Sequence, residues 1–237
     1  MKWIILTLSL AASCIVAAQD LQGYPAITYM EEFLNPSPYM MRARAGSAYG
    51  TKGSPNIFDD FVPGVLYFSS KMKSETDRLN YNCYSNEVLY SDGSTTFQVD
   101  NKKVDFLEFH PADAPAIMFE QVFLADKKKS LFLQILYNES SKLYKRHFRE
   151  FKKADYGGAY SADRRFDEYI DLHDYYLSLN GGDVIPLKPK KKNLLNIMYP
   201  HGEEIEKFLK SEKIDLKNDN DLEKVVRYFD SLSTQSQ

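Results

Sequence analysis

The sequence predicts an α+β fold in which an antiparallel, strongly curved β-sheet, or an open barrel-like meander, is followed by a small C-terminal helical unit. Short β-type runs separated by turn residues fill most of the chain up to about residue 183. The links between these runs are too short for parallel crossovers, and the hydrophobic period becomes helical after about residue 188. The chain has 14% aromatic residues and a net charge of −3, which excludes disorder and a strongly basic protein.

The N-terminal segment has the pattern of a secretory signal peptide, which we assign to residues 1–18. Lys2 precedes an apolar run over residues 3–16, and small residues follow where a signal peptidase cleaves. Cleavage after Ala18 leaves a chain that begins at Gln19. We therefore expect an exported protein, periplasmic or outer-membrane-associated, with no transmembrane span in its mature chain.

The two cysteines bear on the compartment and on stability. A lipoprotein anchored through Cys14 is the alternative to simple cleavage, although the apolar run continues beyond this residue. Once Cys14 has been removed, Cys83 has no partner for an intramolecular disulfide, so a hydrophobic core must supply the stability. We interpret Cys83 as a small buried residue of a strand, with a reactive thiol as the alternative.

Residues 19–52 are predicted to form an irregular N-terminal arm, because prolines interrupt any regular pattern. Residues 53–187 form the β domain, with strands expected at 65–68, 79–84, 87–90, 95–99, 104–110, 117–124 and 131–137. Alternation over 79–83 predicts one apolar and one polar face. The runs 117–124 and 131–137 are apolar on both faces and should be central. Residues 143–151 fit a strand better than a helix.

Residues 188–237 are predicted to form the helical unit. Apolar residues fall at helical spacing over 194–198, 205–209 and 222–232. Asn220 and Glu223 resemble a capping box at the start of the last helix. These helices are too short to be stable alone, so they must pack together or on the sheet.

Several short motifs carry a family resemblance: Gly53-Ser54-Pro55, Leu79-Asn80-Tyr81-Asn82, Leu143-Tyr144-Lys145, Phe151-Lys152-Lys153-Ala154, Tyr169, and Tyr175-Tyr176 before a lysine run. Over about 53–232 the chain resembles small exported proteins of Bacteroidota whose function is uncharacterised. The resemblance implies an envelope location in a Gram-negative cell. It includes no catalytic motif, and the arm before Gly53 departs from the family.

The candidate catalytic residues are Asp171 and His173. With Asp167 they fall on one face of a strand, where an imidazole beside carboxylates could act as an acid–base pair or bind a divalent metal. The simpler interpretation is a solvated strand. The sequence has neither the Gly-x-Ser-x-Gly pattern of serine hydrolases nor a zinc-protease pattern, so we predict no metal and no cofactor.

The candidate binding residues are Tyr144, Lys145, Arg146 and Arg149, where basic and aromatic side chains alternate. This mixture is typical of nucleic-acid contacts, but an exported protein does not meet nucleic acid, so we predict none. A protein or an anionic polymer of the cell envelope is the expected partner. The alternative is a solvated edge whose cations discourage aggregation.

The resulting hypothesis is an exported cell-envelope protein with a non-catalytic binding or scaffolding role. The alternative is a small periplasmic enzyme, of hydrolytic type, that uses the strand with Asp171 and His173.

Overall fold

The structure is a computed structural model that describes residues 21, 23–27, 30–38, 50–154 and 166–235. The expected signal peptide, residues 1–18, lies outside these ranges, as does Cys14. The described chain is rich in β structure, with twelve strands and a C-terminal group of three α-helices. No helix in the described ranges has both the length and the apolar character needed to cross a membrane.

The strands are β1 (Leu34–Pro38), β2 (Thr51–Lys52), β3 (Val62–Phe68), β4 (Asp77–Asn82), β5 (Glu87–Ser91), β6 (Thr96–Val99), β7 (Val104–Phe109), β8 (Ile117–Leu124), β9 (Lys129–Asn138), β10 (Lys142–Lys152), β11 (Asp167–Ser178) and β12 (Ile185–Leu187). The helices are α1 (Lys191–Ile197), α2 (Gly202–Ser211) and α3 (Asp219–Gln235). The seven strands expected from the sequence coincide with β3–β9, and residues 143–151 lie in β10. The N-terminal arm, in its described part, supplies β1 and β2.

The sheet order is β1-β6-β5-β4-β3-β7-β8-β9-β10-β11-β12, and β2 pairs with β11 outside this path. Neighbours along the path are antiparallel, but β2 runs parallel to the start of β11, so the sheet is mixed and the expectation of a purely antiparallel sheet is wrong. A two-residue strand has no alternation that could reveal it. The simple meander is also interrupted, because β7 pairs with β3 instead of β6.

The sheet is open, and the expectation of a strongly curved or barrel-like sheet is wrong. β1 and β12 lie at opposite ends of the strand order and do not pair with each other. Both edge strands contain proline, in the sequences LNPSP and IPL. Because proline has no N–H donor, these edges are poor partners for a further strand.

The central strands are buried on both faces, as their sequences predict. Phe119 of β8 and Phe132 of β9 belong to one apolar cluster, which also holds Tyr81 of β4. Leu124 and Leu133, from the same two strands, belong to a different cluster. The strands β8 and β9 are therefore covered on each side by separate parts of the core.

The polar face of β4, which its alternating sequence predicted, is buried. Asn80 is 1% exposed, and its Nδ2 donates to the carbonyl oxygens of Phe58 at 3.0 Å and Asp60 at 3.1 Å. The segment before β3 thus covers β4 and satisfies its amide. Cys83, just after β4, is 5% exposed, and burial raises the pKa of its thiol to about 12.

The three helices pack together against one end of β9–β12. Asp230 of α3 anchors them, because its Oδ2 accepts from the Tyr137 hydroxyl at 3.1 Å and the Ser141 N–H at 2.9 Å. Helix α3 is capped by Asn218, whose Oδ1 accepts from the N–H of Asn220 at 2.9 Å. The cap therefore lies two residues before the position expected from the sequence.

Candidate functional site

The candidate residues lie on β10 and β11, which pair in one continuous register from Lys142↔Ser178 to Lys152↔Glu168. Because side chains alternate along a strand, paired residues project on the same face. One face, here called the H face, carries Lys145 opposite Tyr175, His147 opposite His173, and Arg149 opposite Asp171. Tyr144 and Arg146 project from the other face. The four candidate binding residues are therefore divided between two faces.

Arg149 is held inside the protein by hydrogen bonds and an ion pair to other parts of the chain. Its Nε donates to the carbonyl oxygen of Ser54 at 3.2 Å and its Nη2 to that of Asn56 at 3.1 Å, while Nη1 pairs with Asp171. The Arg149 side chain is 8% exposed, whereas that of Asp171 is 74% exposed. Arg149 thus ties β10 to the segment that precedes β3, and most of its donors are already engaged within the chain.

Lys145 is also paired, with a residue of the helical unit. Its Nζ donates to Asp219 Oδ2 at 2.7 Å, and the Tyr175 hydroxyl donates to Asp219 Oδ1 at 2.6 Å. Burial alone would raise the pKa of Asp219, but the hydrogen bonds from Lys145 and Tyr175 outweigh it and hold this pKa below its usual range. The three groups link α3 to the H face.

The two histidines that face each other have different environments. His147 Nε2 lies 2.7 Å from Gln134 Oε1. Burial, with the nearby cations Lys145 and Arg149, lowers the pKa of His147 to about 4, so its ring is neutral at neutral pH. His173 is exposed and contacts the Tyr175 ring edge-on at 5.3 Å. Among the described residues, no hydrogen bond joins His173 to a carboxylate.

The opposite face repeats the pattern of internal pairing. Arg146 Nη1 lies 3.0 Å from Asp174 Oδ2, and its guanidinium lies over the Phe148 ring at 4.2 Å. The buried Tyr144 donates to Glu120 Oε2 at 2.7 Å, and burial followed by the Glu120 charge raises the pKa of this phenol. Each of the four candidate binding residues therefore contacts a carboxylate of its own chain.

The candidate catalytic residues share a face but do not converge on one point. Asp167 accepts from the Ala154 N–H at 2.7 Å, and Asp171 is paired with Arg149. In the part of the chain that the structure describes, no three His, Cys, Asp or Glu side chains lie close enough to hold a metal ion. An acid–base mechanism requires a base beside the group that it deprotonates, and this strand supplies isolated groups.

An aromatic group continues the H face toward the start of β11. The ring centroids of Phe151 and Tyr169 are 4.9 Å apart, and that of Tyr84 lies 5.5 Å from that of Tyr169. Gly53 allows the backbone to approach this group, because it has a φ of +72° and a Cβ there would lie 2.8 Å from the Tyr169 carbonyl oxygen. The glycine of the first family-like motif therefore has a structural role.

Sequence reasoning missed a cavity of about 380 Å³ between β4–β6 and four residues of the N-terminal arm, Ile27, Met30, Glu31 and Leu34. Its lining includes Asp77, the first residue of β4. The alternation that predicted an apolar face at Leu79 and Tyr81 extends back to Asp77, which places a carboxylate on that apolar face. A carboxylate on an otherwise apolar strand face was the feature of the sequence from which the cavity could have been predicted. No such feature existed for Asp219, whose partner Lys145 is 74 residues away.

Comparison with known proteins provides no further assignment: no family model, curated protein or solved structure matches this chain.

Proposed function

We propose that the chain is an exported protein of the cell envelope, periplasmic or outer-membrane-associated, that acts by non-catalytic binding or scaffolding. The observation that carries the proposal is the internal pairing of the ionisable residues on β10 and β11. Arg149 pairs with Asp171, Lys145 with Asp219, and Arg146 with Asp174. Such pairs hold strands and helices together, and they leave no activated nucleophile or base on this part of the sheet.

Export is supported by the sequence pattern at the N-terminus and by the family resemblance. The proposed cleavage after Ala18 leaves Leu21 in the mature chain. Leu21 is buried in a cluster with Tyr67 and Met118, so the processed chain keeps this contact between the arm and the sheet. A protein component of the envelope is the proposed partner. An anionic polymer is less favoured, because Lys145, Arg146 and Arg149 of β10 are already paired with carboxylates.

The test uses the chain from Gln19 onward, incubated with an envelope fraction from a Gram-negative cell. Saturable sedimentation measures binding, and mass spectrometry of the supernatant measures released products. The double variant Asp171→Asn/His173→Ala removes the candidate catalytic pair. The double variant His110→Ala/Asp113→Asn is the matched control, because it makes the same chemical changes in an exposed loop.

We expect equal, saturable sedimentation of all three proteins and no released product. Product that is released by the wild type and the control, but not by a folded Asp171→Asn/His173→Ala protein, would establish the enzymatic alternative. Failure of the wild type to sediment would contradict the binding role.

A further inference from the structure

The cavity beside β4–β6 combines an apolar wall with negative charge. Ile27, Met30 and Leu34 contribute apolar side chains to its lining, and Tyr90 and Phe97 contribute aromatic rings. These two rings are cross-strand partners on β5 and β6, with centroids 6.2 Å apart and planes inclined by 34°. The cavity volume of about 380 Å³ is in the range of sites for small ligands.

Four carboxylates line the same cavity: Glu31, Glu75, Asp77 and Asp92. Burial is the first cause that raises the pKa of the Tyr90 phenol, and the charges of Asp77, Asp92 and Glu31 follow as further causes. Within the described ranges, none of the four carboxylates forms an ion pair with a lysine, arginine or histidine of the chain. The cavity therefore has an excess of negative charge.

Asp77 carries one buried carboxylate oxygen, Oδ2, that has no hydrogen-bond partner among the described residues. A buried carboxylate oxygen without a donor is costly, and a bound cation is one of the few ways to satisfy it. Burial is also the main reason that the pKa of Asp77 is raised, and a hydrogen bond from the Ser74 side chain to the carboxyl group opposes this shift without cancelling it. The structure thus holds a carboxylate in a position that a cation would stabilise.

Asp92 is fixed in the turn between β5 and β6. Its Oδ1 accepts from the N–H groups of Thr95 at 2.7 Å and Ser94 at 2.8 Å. These backbone hydrogen bonds lower the pKa of Asp92, so this residue remains ionised. The charge at the rim of the cavity is therefore held in place before any ligand arrives.

The arrangement favours an organic cation over a metal ion. The described residues include no group of three carboxylate, histidine or cysteine side chains close enough to coordinate one metal. Dispersed carboxylates around two aromatic rings suit a cation whose charge is spread over a bulky ammonium group, because ring faces and carboxylates both attract it. We propose that this cavity binds a small organic cation, an amine or quaternary ammonium group, with Asp77 as its main charge partner and Tyr90 and Phe97 as aromatic walls.

This inference deepens the proposed binding function by naming a ligand class, and its test requires no envelope material. The probe is choline, titrated into the chain from Gln19 onward by calorimetry or NMR. Its neutral isostere, 3,3-dimethylbutan-1-ol, measures what shape alone contributes. N-acetyl-lysine methylamide represents the side chain of a partner protein, so the two cationic probes distinguish a free small molecule from a protein ligand.

We expect saturable binding of at least one cationic probe and none of the neutral alcohol. Asp77→Asn, which keeps the shape and removes the charge, should weaken binding about ten-fold or more, since the attraction between the ligand cation and the carboxylate is lost. Asp113→Asn, an exposed change elsewhere, should leave binding unaltered. If Asp77→Asn does not fold, Glu75→Gln at the exposed rim is the second variant, with an expected loss of a few-fold.

Three results would overturn the proposal. They are the absence of saturable binding of either cation, equal binding of the neutral alcohol, and unchanged affinity in a folded Asp77→Asn protein. Saturable Ca²⁺ binding that displaces the organic cation would reassign the cavity as a metal site. Because purified protein and pure probes are used, failure here leaves the sedimentation result standing, and the reverse also holds.

Discussion

Replacement of Arg149 by alanine should destabilise the protein far more than replacement of its ion-pair partner. Arg149 donates to the carbonyl oxygens of Ser54 and Asn56, and it pairs with Asp171. The Arg149 side chain is 8% exposed and that of Asp171 is 74% exposed. The ion pair itself is therefore largely solvated, whereas the two bonds to the backbone hold the segment before β3 against β10.

The expected magnitude follows from these contacts. A hydrogen bond to a charged group contributes about 1.5–3 kcal/mol, so two bonds give roughly 3–6 kcal/mol. Ser54 and Asn56 are half-buried, and water replaces part of what is lost, so we expect about 3 kcal/mol for Arg149→Ala. Asp171→Ala removes only a solvated partner and should cost less than about 1 kcal/mol.

Urea unfolding followed by circular dichroism measures both values, with the exposed Arg78→Ala as the matched arginine control. The control should remain within about 0.5 kcal/mol of the wild type. The reasoning is refuted if Arg149→Ala is as stable as Arg78→Ala, or if Asp171→Ala costs as much as Arg149→Ala. The first result would mean that Arg149 is not a structural link, and the second that its ion pair supplies the stability instead of its bonds to the backbone.

Three further outcomes are expected. Gly64→Ala places a Cβ 2.5 Å from the Glu108 carbonyl oxygen, so the pairing of β3 with β7 must shift. The free energy of unfolding should therefore fall by about 2 kcal/mol in the urea assay. Gly23→Ala is the control and should be neutral, because open space surrounds Gly23. The pKa of His147 is about 4 in the folded state, against an ordinary value of 6.5 for histidine, so the unfolded chain binds the proton first as the pH falls. The contribution of His147 to stability should therefore be constant above about pH 6.5. Toward pH 4 the free energy of unfolding should fall by at most about 1.4 kcal/mol per pH unit. His147→Gln should reduce that slope in unfolding curves recorded from about pH 7.5 to about pH 4.5, and an unchanged slope would contradict the assignment. The Cys83 thiol, with its pKa raised to about 12, should react with a disulfide reagent only after unfolding, and rapid labelling of the native protein would argue against burial.

Most of the secondary structure could be predicted from the sequence, because it depends on local periodicity. Two-residue alternation and short turns located β3–β9, and helical spacing located α1–α3. The exceptions are elements whose sequence carries no period. β2 has two exposed residues, and β1 contains prolines, so neither could be recognised before the strand that it pairs with was known.

The contacts of the candidate site residues could not be predicted from the sequence, because they join residues that are far apart in the chain. Alternation correctly placed Asp171 and His173 on one face of a strand. It could not show that Arg149 bonds to Ser54, which is 95 residues away, or that Lys145 reaches Asp219, which is 74 residues away. The basic side chains of β10 therefore suggested a free cationic surface, whereas the tertiary fold supplies a carboxylate to each of Lys145, Arg146 and Arg149.

The proposal that this is an exported binding protein is tested most directly by the mass and location of the chain in a Gram-negative cell that expresses the full sequence. The account predicts that the envelope fractions contain a chain whose intact mass corresponds to a start at Gln19. Because Trp3 is the single tryptophan, that chain should show no tryptophan emission. A functional full-length chain in the cytosol, with Trp3 still attached, would contradict the account.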